Sequence, residues 1–311
     1  MGGTNIVVGV VDSNYNIISK ASCKTAIPRP EIEICKDMAK LCFDVLKKAS
    51  ITIDDIEFIG IGAPGSANRE TGIIEFSSNL YFHNWKIVDM MRELTGKPIE
   101  IENDANAAAF GEYKAGAAKG YNSAIAITLG TGIGGGIIID GKIYTGSNFN
   151  GAEIGHMVIV HDGLKCACGR RGCFERYASA SGLTNLTKEA LKSNPKGSLM
   201  WKYIGGDLKK VSGFTSFEAM KRGDKLAKEV VDKYISYLAC GVTNIINIFQ
   251  PDIVCIGGGV SKQGDSLINP LKKIIEKERY SKHANKQTKI CLATLGNDAG
   301  LIGAAILNRT N

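Results

Sequence analysis

Ile6 to Val11 is a largely β-branched apolar run, broken by Asp12-Ser13-Asn14 and resumed from Tyr15 to Ile18, which predicts a hairpin closed by turn chemistry. The period then changes. From 31 to 49, Ile34, Met38, Leu41, Cys42 and Val45 fall on one face of a helix, followed by a buried strand, Phe58 to Ile61, running into Gly62-Ala63-Pro64-Gly65. Trp85 to Leu94 reads as a second helix stopped by Gly96 and Pro98, and Ile99 to Glu102 as a further strand. Asn103-Asp104-Ala105-Asn106 opens an alanine-rich helix to about Ala118, which completes one α/β unit.

A second unit starts at the strand Ala124 to Leu129, turns through Gly130-Thr131-Gly132, runs back as Gly136 to Ile139, turns at Asp140-Gly141 and returns through Lys142 to Tyr144. Beyond a cysteine-rich stretch, Asp224 to Phe249 carries Leu226, Val230, Tyr234, Leu238, Val242 and Ile245 at helical spacing and is closed by Pro251. The strand Ile253 to Ile256 leads into Gly257-Gly258-Gly259. A helix near Leu267 to Glu278, a strand Ile290 to Ala293 and a small-residue helix from Asp298 follow. The two units echo each other: Gly3-Thr4 and Gly130-Thr131 each precede an apolar strand, an Asp-containing turn and another strand, which suggests a duplicated fold. The echo is unequal, because the second copy has a strand leading into its glycine turn and the first begins at Met1. A strand of the first copy is therefore expected to be missing.

At 311 residues the chain suits two domains of roughly 100 to 200 residues each. It is 44% apolar and 22% charged, and no apolar stretch approaches the roughly 18 residues of a membrane span. Met1-Gly2-Gly3-Thr4 shows no export or organelle signal, so the cytoplasm is the expected location. The net charge of +7 comes from dispersed pairs such as Lys47-Lys48, Lys209-Lys210 and Lys272-Lys273, which argues for solvated faces and against a nucleic-acid partner.

The chemistry sits in glycines, cysteines and a few acids. Gly2-Gly3-Thr4-Asn5 and the run Leu129 to Gly136 can turn several amides and a threonine hydroxyl toward one anion, the alternative being plain tight hairpins. Neither is a P-loop or a Rossmann turn, since both run into strands. Two in equivalent places favour phosphate, and Gly257 to Gly259 can seat an adenosine. The nucleotide candidates are thus Gly3, Thr4, Asn5, Thr131, Gly132, Gly257, Gly258 and Gly259. Of nine cysteines, six are scattered in apolar surroundings and three crowd with His156 as Cys166, Cys168 and Cys173, a donor set for tetrahedral zinc. Four protein ligands close such a site, which makes the zinc structural. Glu153 and Glu175 flank the same segment and, with His156, can meet vicinal hydroxyls of a sugar, solvated loop glutamates being the alternative. Asp104 follows a buried strand and precedes a helix, so it can accept a proton from an attacking hydroxyl, or simply act as an N-cap.

Glu153-Ile154-Gly155-His156 and Cys166-Ala167-Cys168-Gly169-Arg170-Arg171-Gly172-Cys173-Phe174-Glu175 resemble the E-x-G-H and C-x-C-G-x-x-G-C-x-E signatures of the ROK family of sugar kinases and repressors, most closely its bacterial glucokinase branch. Glu102 to Asn106 and the two glycine loops support the resemblance, which covers essentially the whole chain. It implies an α/β, two-lobed actin-like ATPase fold, a duplicated ribonuclease-H-like unit with a cleft between lobes and a small zinc-binding loop, 156–173. The small lobe would be 1–118, lacking its first strand and joined by the C-terminal helix 298–311, and the large lobe 119–297. By the same resemblance, ATP with Mg2+ sits on the large lobe and Asp104 is the base for the sugar 6-hydroxyl. Gly65, Asn79, Asn103, Glu153, His156 and Glu175 hold the ring hydroxyls. His156 would place one nitrogen on zinc and the other toward the sugar.

One departure stands out. Family members carry a leading strand ending in an Asp just ahead of the Gly-Gly-Thr turn, and here Met1 stands in that region. The expected activity is ATP-dependent conversion of glucose to glucose 6-phosphate, with an N-acetylglucosamine or N-acetylmannosamine kinase as the alternative. An inactive sugar-binding form, for want of the N-terminal Asp, is a further alternative. A sugar-sensing repressor would need a helix-turn-helix for which there is no room before Gly2. Hexose and ATP are the expected partners, with no membrane contact, and the expected assembly is a homodimer or homotetramer.

Overall fold

The opening hairpin forms as β1 (Asn5–Val11) paired antiparallel with β2 (Ile17–Lys24), in a computed structural model that describes residues 1–77, 80–194 and 197–309. Asp12 closes the turn, its Oδ1 accepting hydrogen bonds of 2.8 Å from the amides of Asn14 and Asn16. α1 (Glu31–Ala49) buries Ile34, Cys35, Met38, Leu41, Cys42 and Val45 on one stripe. Its glutamates in the first turn and lysines in the last complement the helix dipole. β3 (Ile59–Ala63) is followed by β4 (Ser66–Asn68), β5 (Ile73–Ser77) and β6 (Phe82–Trp85), the last three forming an antiparallel sheet of their own. After α2 (Ile87–Thr95), β7 (Ile99–Asn103) pairs parallel with β3 and runs directly into α3 (Asp104–Ala115).

Two expectations need correction here. Trp85 does not start a helix; it ends β6 opposite Ile74, wholly buried, with its ring edge-on to Phe82 at 5.0 Å. Its bulk belongs to the core of the sheet, and the helix begins two residues later. The helix after Asn103 stops at Ala115 instead of about Ala118, because the Glu112 carboxylate turns back to accept the amide of Ala117 at 2.9 Å. The same carboxylate accepts the amides of Thr294 (3.1 Å) and Leu295 (2.7 Å).

β8 (Ala124–Leu129), β9 (Ile133–Ile139) and β10 (Lys142–Ile143) lead to a helical stretch: α4 (Glu175–Ala178), α5 (Ala180–Ser193), α6 (Leu199–Tyr203), α7 (Thr215–Lys221) and α8 (Lys225–Phe249). Asp224 caps α8, accepting the Ala227 amide at 2.9 Å and the Ser198 hydroxyl at 2.7 Å. β11 (Ile253–Gly257), α9 (Asp265–Glu278), β12 (Lys289–Leu292) and α10 (Ala299–Ala304) complete the chain. The larger sheet runs in the order β10-β9-β8-β11-β12, with β9 and β10 antiparallel and β11 and β12 parallel.

The chain divides into two compact units: 1–126 with 136–152 and 294–311, and 127–135 with 153–293. In the first, Ile6, Ile34, Met38, Ile61, Ile74 and Trp85 share one core, and α10 lies so close on α3 that a Cβ at Gly303 would overlap the Ala107 carbonyl. In the second, α8 is the axis, its fully buried Tyr234 donating to the Ala178 carbonyl at 2.8 Å. No helix of the described residues is long and apolar enough to cross a membrane.

Candidate active site and metal centre

In the second unit, the cysteine loop is folded by its own backbone. The Cys166 amide donates to Arg170 O (2.9 Å), the Gly172 amide to Leu164 O (2.8 Å) and the Phe174 amide to Met157 O (2.8 Å). Gly169 and Gly172, at φ +91° and +82°, supply the left-handed turns between the thiols. The result gathers one donor atom each from His156, Cys166, Cys168 and Cys173 within 4.8 Å of one another. The Cys168 and Cys173 sulfurs lie 3.6 Å apart, and the Cys166 sulfur is 3.7 Å from His156 Nδ1. Zinc–sulfur bonds of about 2.3 Å at tetrahedral angles separate sulfurs by about 3.8 Å, so the residues fit a tetrahedral zinc ion. The same spacing is far beyond a disulfide bond, and all three thiols are free. Burial pushes the Cys166 thiol up to about 12 and raises Cys173 as well, whereas the Arg170 amide beside Cys168 lowers that thiol. Ligation of a metal here must therefore release protons.

Two glutamates flank the imidazole on opposite edges. Glu175 Oε1 is 3.9 Å from His156 Nδ1 and 3.2 Å from the Cys166 sulfur, while Glu153 Oε2 is 4.0 Å from Nε2. Nδ1 thus faces the thiols and Nε2 faces away from them toward Glu153. Glu175 also leans on the glycine turn: a Cβ at Gly132 would stand 2.5 Å from its Oε2.

The two glycine loops of this unit meet. Gly258, at φ +87°, lies so close to the end of β8 that a Cβ there would be 2.6 Å from the Leu129 amide nitrogen and carbonyl oxygen. The Gly130 turn is closed by its amide donating to Gly132 O at 3.0 Å and is tied to α5 by the Ala180 amide donating to Gly130 O at 2.8 Å. Thr131, Gly258 and Gly259 are exposed. One detail of the expectation fails: of the glycines nominated for the nucleotide only Gly258 is left-handed, and Gly3, Gly132, Gly257 and Gly259, like Gly130 beside them, are not. At Gly132 the missing side chain is needed for the approach of Glu175, and at Gly258 for backbone contact with Leu129.

In the first unit, the Gly2 amide donates to Asn5 O (2.9 Å) and the Thr25 hydroxyl to Gly2 O (2.6 Å), leaving Thr4 and Asn5 exposed. Asn103 caps α3: its Oδ1 accepts the amides of Ala105 (2.9 Å) and Asn106 (3.2 Å), and its Nδ2 donates to Gly65 O (3.1 Å). Gly65 is held at φ +109°, where a Cβ would overlap the Phe76 carbonyl. Asp104 is therefore not the cap. Its carboxylate reaches solvent at the first position of α3, taking the Ala105 amide at 2.9 Å. Crowding by protein raises its pKa above the ordinary carboxylate range, opposed by the nearby Met1 ammonium. Asn79 lies outside the described residues.

Sequence reasoning assigned no role to Glu102 or Asn106. Glu102 is buried and accepts the Asn103 amide (2.8 Å) and the Asn106 Nδ2 (3.0 Å), fixing the strand-to-helix corner that carries Asp104. Burial raises its pKa. The signal was present as two polar residues at i and i+4 astride a buried strand end. Ser66, whose hydroxyl donates to Asn150 Oδ1, left none.

The model of the ROK family matches residues 1–311. Glucokinase from Thermotoga maritima is 36% identical over 308 residues, covering 98% of this chain and 94% of its own. Glucokinase from Streptomyces coelicolor is 34% identical, covering 99% and 96%. Among solved structures, the Streptomyces griseus ROK glucokinase in complex with glucose and AMPPNP superposes with a TM-score of 0.83 at 33% identity, covering 100% of this chain and 98% of that one. Similarity over the whole chain makes it a sugar kinase of the actin-like ATPase class. The chain belongs to the ROK family.

Proposed function

We propose that this chain transfers the γ-phosphoryl group of ATP to the 6-hydroxyl of glucose. One observation carries the assignment of the base: Asn103 takes over the capping of α3, so the carboxylate of Asp104 is left facing solvent at a helix N-terminus. Asp104 accepts the proton of the 6-hydroxyl as that oxygen bonds to the γ-phosphorus, the bond to the β,γ-bridging oxygen breaks, and ADP leaves with the electron pair. Such transfers depend chiefly on positioning and charge stabilisation, with the base a modest part. Glu153, His156 Nε2 and Glu175 accept and donate to the ring hydroxyls, joined by Asn103, the Gly65 backbone and Asn79. Gly3, Thr4, Asn5, Thr131, Gly132 and Gly257 to Gly259 meet the nucleotide. Magnesium, when bound with the nucleotide, neutralises its phosphate charge.

His156, Cys166, Cys168 and Cys173 would hold a zinc ion whose role is structural, since four protein ligands leave no open position. In this reading the chain has two lobes, 1–118 with 298–311 and 119–297, and it works in the cytoplasm, where ATP is available. The test is steady-state ADP release with glucose, mannose, fructose, N-acetylglucosamine and N-acetylmannosamine. Glucose is expected to give the highest kcat/KM. A preference for either hexosamine moves the substrate, and no ADP release with any of the five overturns the activity.

A further inference from the structure

Two of the scattered cysteines meet in the fold. β11 and β12 pair in parallel with Cys255 directly opposite Cys291, and the two sulfurs lie 3.6 Å apart. In-register partners on neighbouring strands point to the same face of a sheet, so the ladder itself holds the two thiols side by side. Neighbouring strands stand about 4.8 Å apart, inside the Cα range of about 4.4–6.8 Å that a disulfide bridges. The two cysteines, both thiols here, differ in access. Cys255 is 1% exposed, in a strand buried at every residue, whereas Cys291 is half-buried.

The pair sits one rung below a glycine turn. The next residues on the same face are Gly257 and Ala293, where a Cβ on the glycine would stand 3.2 Å from the Ala293 Cβ. The Ala293 amide donates to Ile256 O at 2.9 Å, which carries the ladder to the start of Gly257-Gly258-Gly259. Gly258 in turn packs on the Leu129 backbone at a distance that admits no side chain. A movement of β11 against β12 at Cys255 is therefore passed to that turn, because both approaches are already close-packed.

We infer that Cys255 and Cys291 form a peroxide-sensitive dithiol whose disulfide clamps β11 to β12 just ahead of the glycine turn. The Cys291 thiolate, the one solvent reaches, attacks an oxygen of hydrogen peroxide. The S–O bond forms, the O–O bond breaks, and the departing hydroxide takes up the thiol proton as water. The Cys255 sulfur then attacks the sulfenic sulfur of Cys291; the S–S bond forms, the S–O bond breaks, and the second hydroxide leaves with the Cys255 proton as water. Two thiols and one peroxide thus give one disulfide and two waters. The sulfurs close from 3.6 Å to about 2.05 Å, a displacement the strands and the turn beyond them must take up. The effect on catalysis rests on the reading that Gly257 to Gly259 meet the nucleotide; formation of the bond does not.

The test treats the full chain with hydrogen peroxide, alkylates the remaining thiols and locates the disulfide by peptide mapping. Amide hydrogen exchange over 253–259 and the KM for ATP are read on the same samples. The controls are Cys291→Ser and Cys255→Ala, both of which keep Cys166, Cys168 and Cys173. The native chain is expected to give a 255–291 cross-link reversed by dithiothreitol, exchange slowed about threefold or more, and a KM for ATP raised about threefold or more. Neither variant should show any of the three, and Cys255→Ala should accumulate a sulfenic acid on Cys291 that dimedone traps. Alkylation of both cysteines after peroxide, or conversion of Cys291 to a sulfinic acid with Cys255 still alkylated, overturns the inference. So does an equal rise in KM in the two variants, which would place the sensitive thiols elsewhere. A cross-link with slowed exchange and an unchanged KM supports the clamp and counts against the nucleotide role of Gly257 to Gly259.

Discussion

The ring of Phe174 lies against the backbone of Gly241 in the middle of α8, so close that a Cβ at 241 would overlap three carbons of the ring. Phe174 is wholly buried and stands between Cys173, a thiol of the candidate metal site, and Glu175. The depth at which α8 accepts that ring therefore sets the position of both neighbours.

Gly241→Ala tests this relationship. An alanine gains about 1 kcal/mol in helix propensity, while overpacking against a locked ring costs about 1–3 kcal/mol. The variant is expected to melt at a lower temperature, to hold less zinc and to bind glucose more weakly. Undiminished stability with full metal content would show that the loop is not seated by this contact.

Removal of one thiol acts on the loop from the other side. Cys168→Ser is expected to reduce bound zinc, measured by elemental analysis, from about one ion per chain and to raise the KM for glucose while the KM for ATP holds. Unchanged metal content would refute the site.

Asp104→Asn removes the proton acceptor and keeps the shape. With a base contribution typically of about 10²–10⁴-fold, kcat should fall by that order while the Kd for glucose changes little. Equal losses in both would reduce Asp104 to a substrate-positioning residue.

The sign of the pH dependence follows from the same carboxylate. Asp104 works ionised, so activity is lost as pH falls through its pKa; protein around the carboxyl raises that pKa, the Met1 ammonium opposing less strongly. The acid limb of kcat/KM is therefore expected above the ordinary aspartate value of about 3.9. A profile that stays flat down to pH about 4 would contradict this.

Much of the fold was legible because the period of the chain changes cleanly: α1 and α8 begin and end within a residue of the helices read from their apolar stripes. The β4–β5–β6 sheet was not read, since its strands are three to five residues long and Trp85 equally suits the start of a helix. The gathering of His156, Cys166, Cys168 and Cys173 was legible because the four residues lie within 18 positions and need only local turns, which Gly169 and Gly172 supply. Glu112 was not, because the donors its carboxylate accepts from, the amides of Thr294 and Leu295, are more than 180 residues away along the chain. The capping role also fell one residue off: Asn103 and Asp104 are both good caps by type, and only the backbone shows that the extended φ, ψ of the cap position belongs to Asn103.

The most direct measurement is the location of glucose in a crystal of its complex with this chain. The account predicts ring hydroxyls within about 3.2 Å of Glu153, His156 and Glu175, with the 6-hydroxyl at Asp104. A hexose bound elsewhere, touching neither the 153–175 segment nor the first turn of α3, would contradict it.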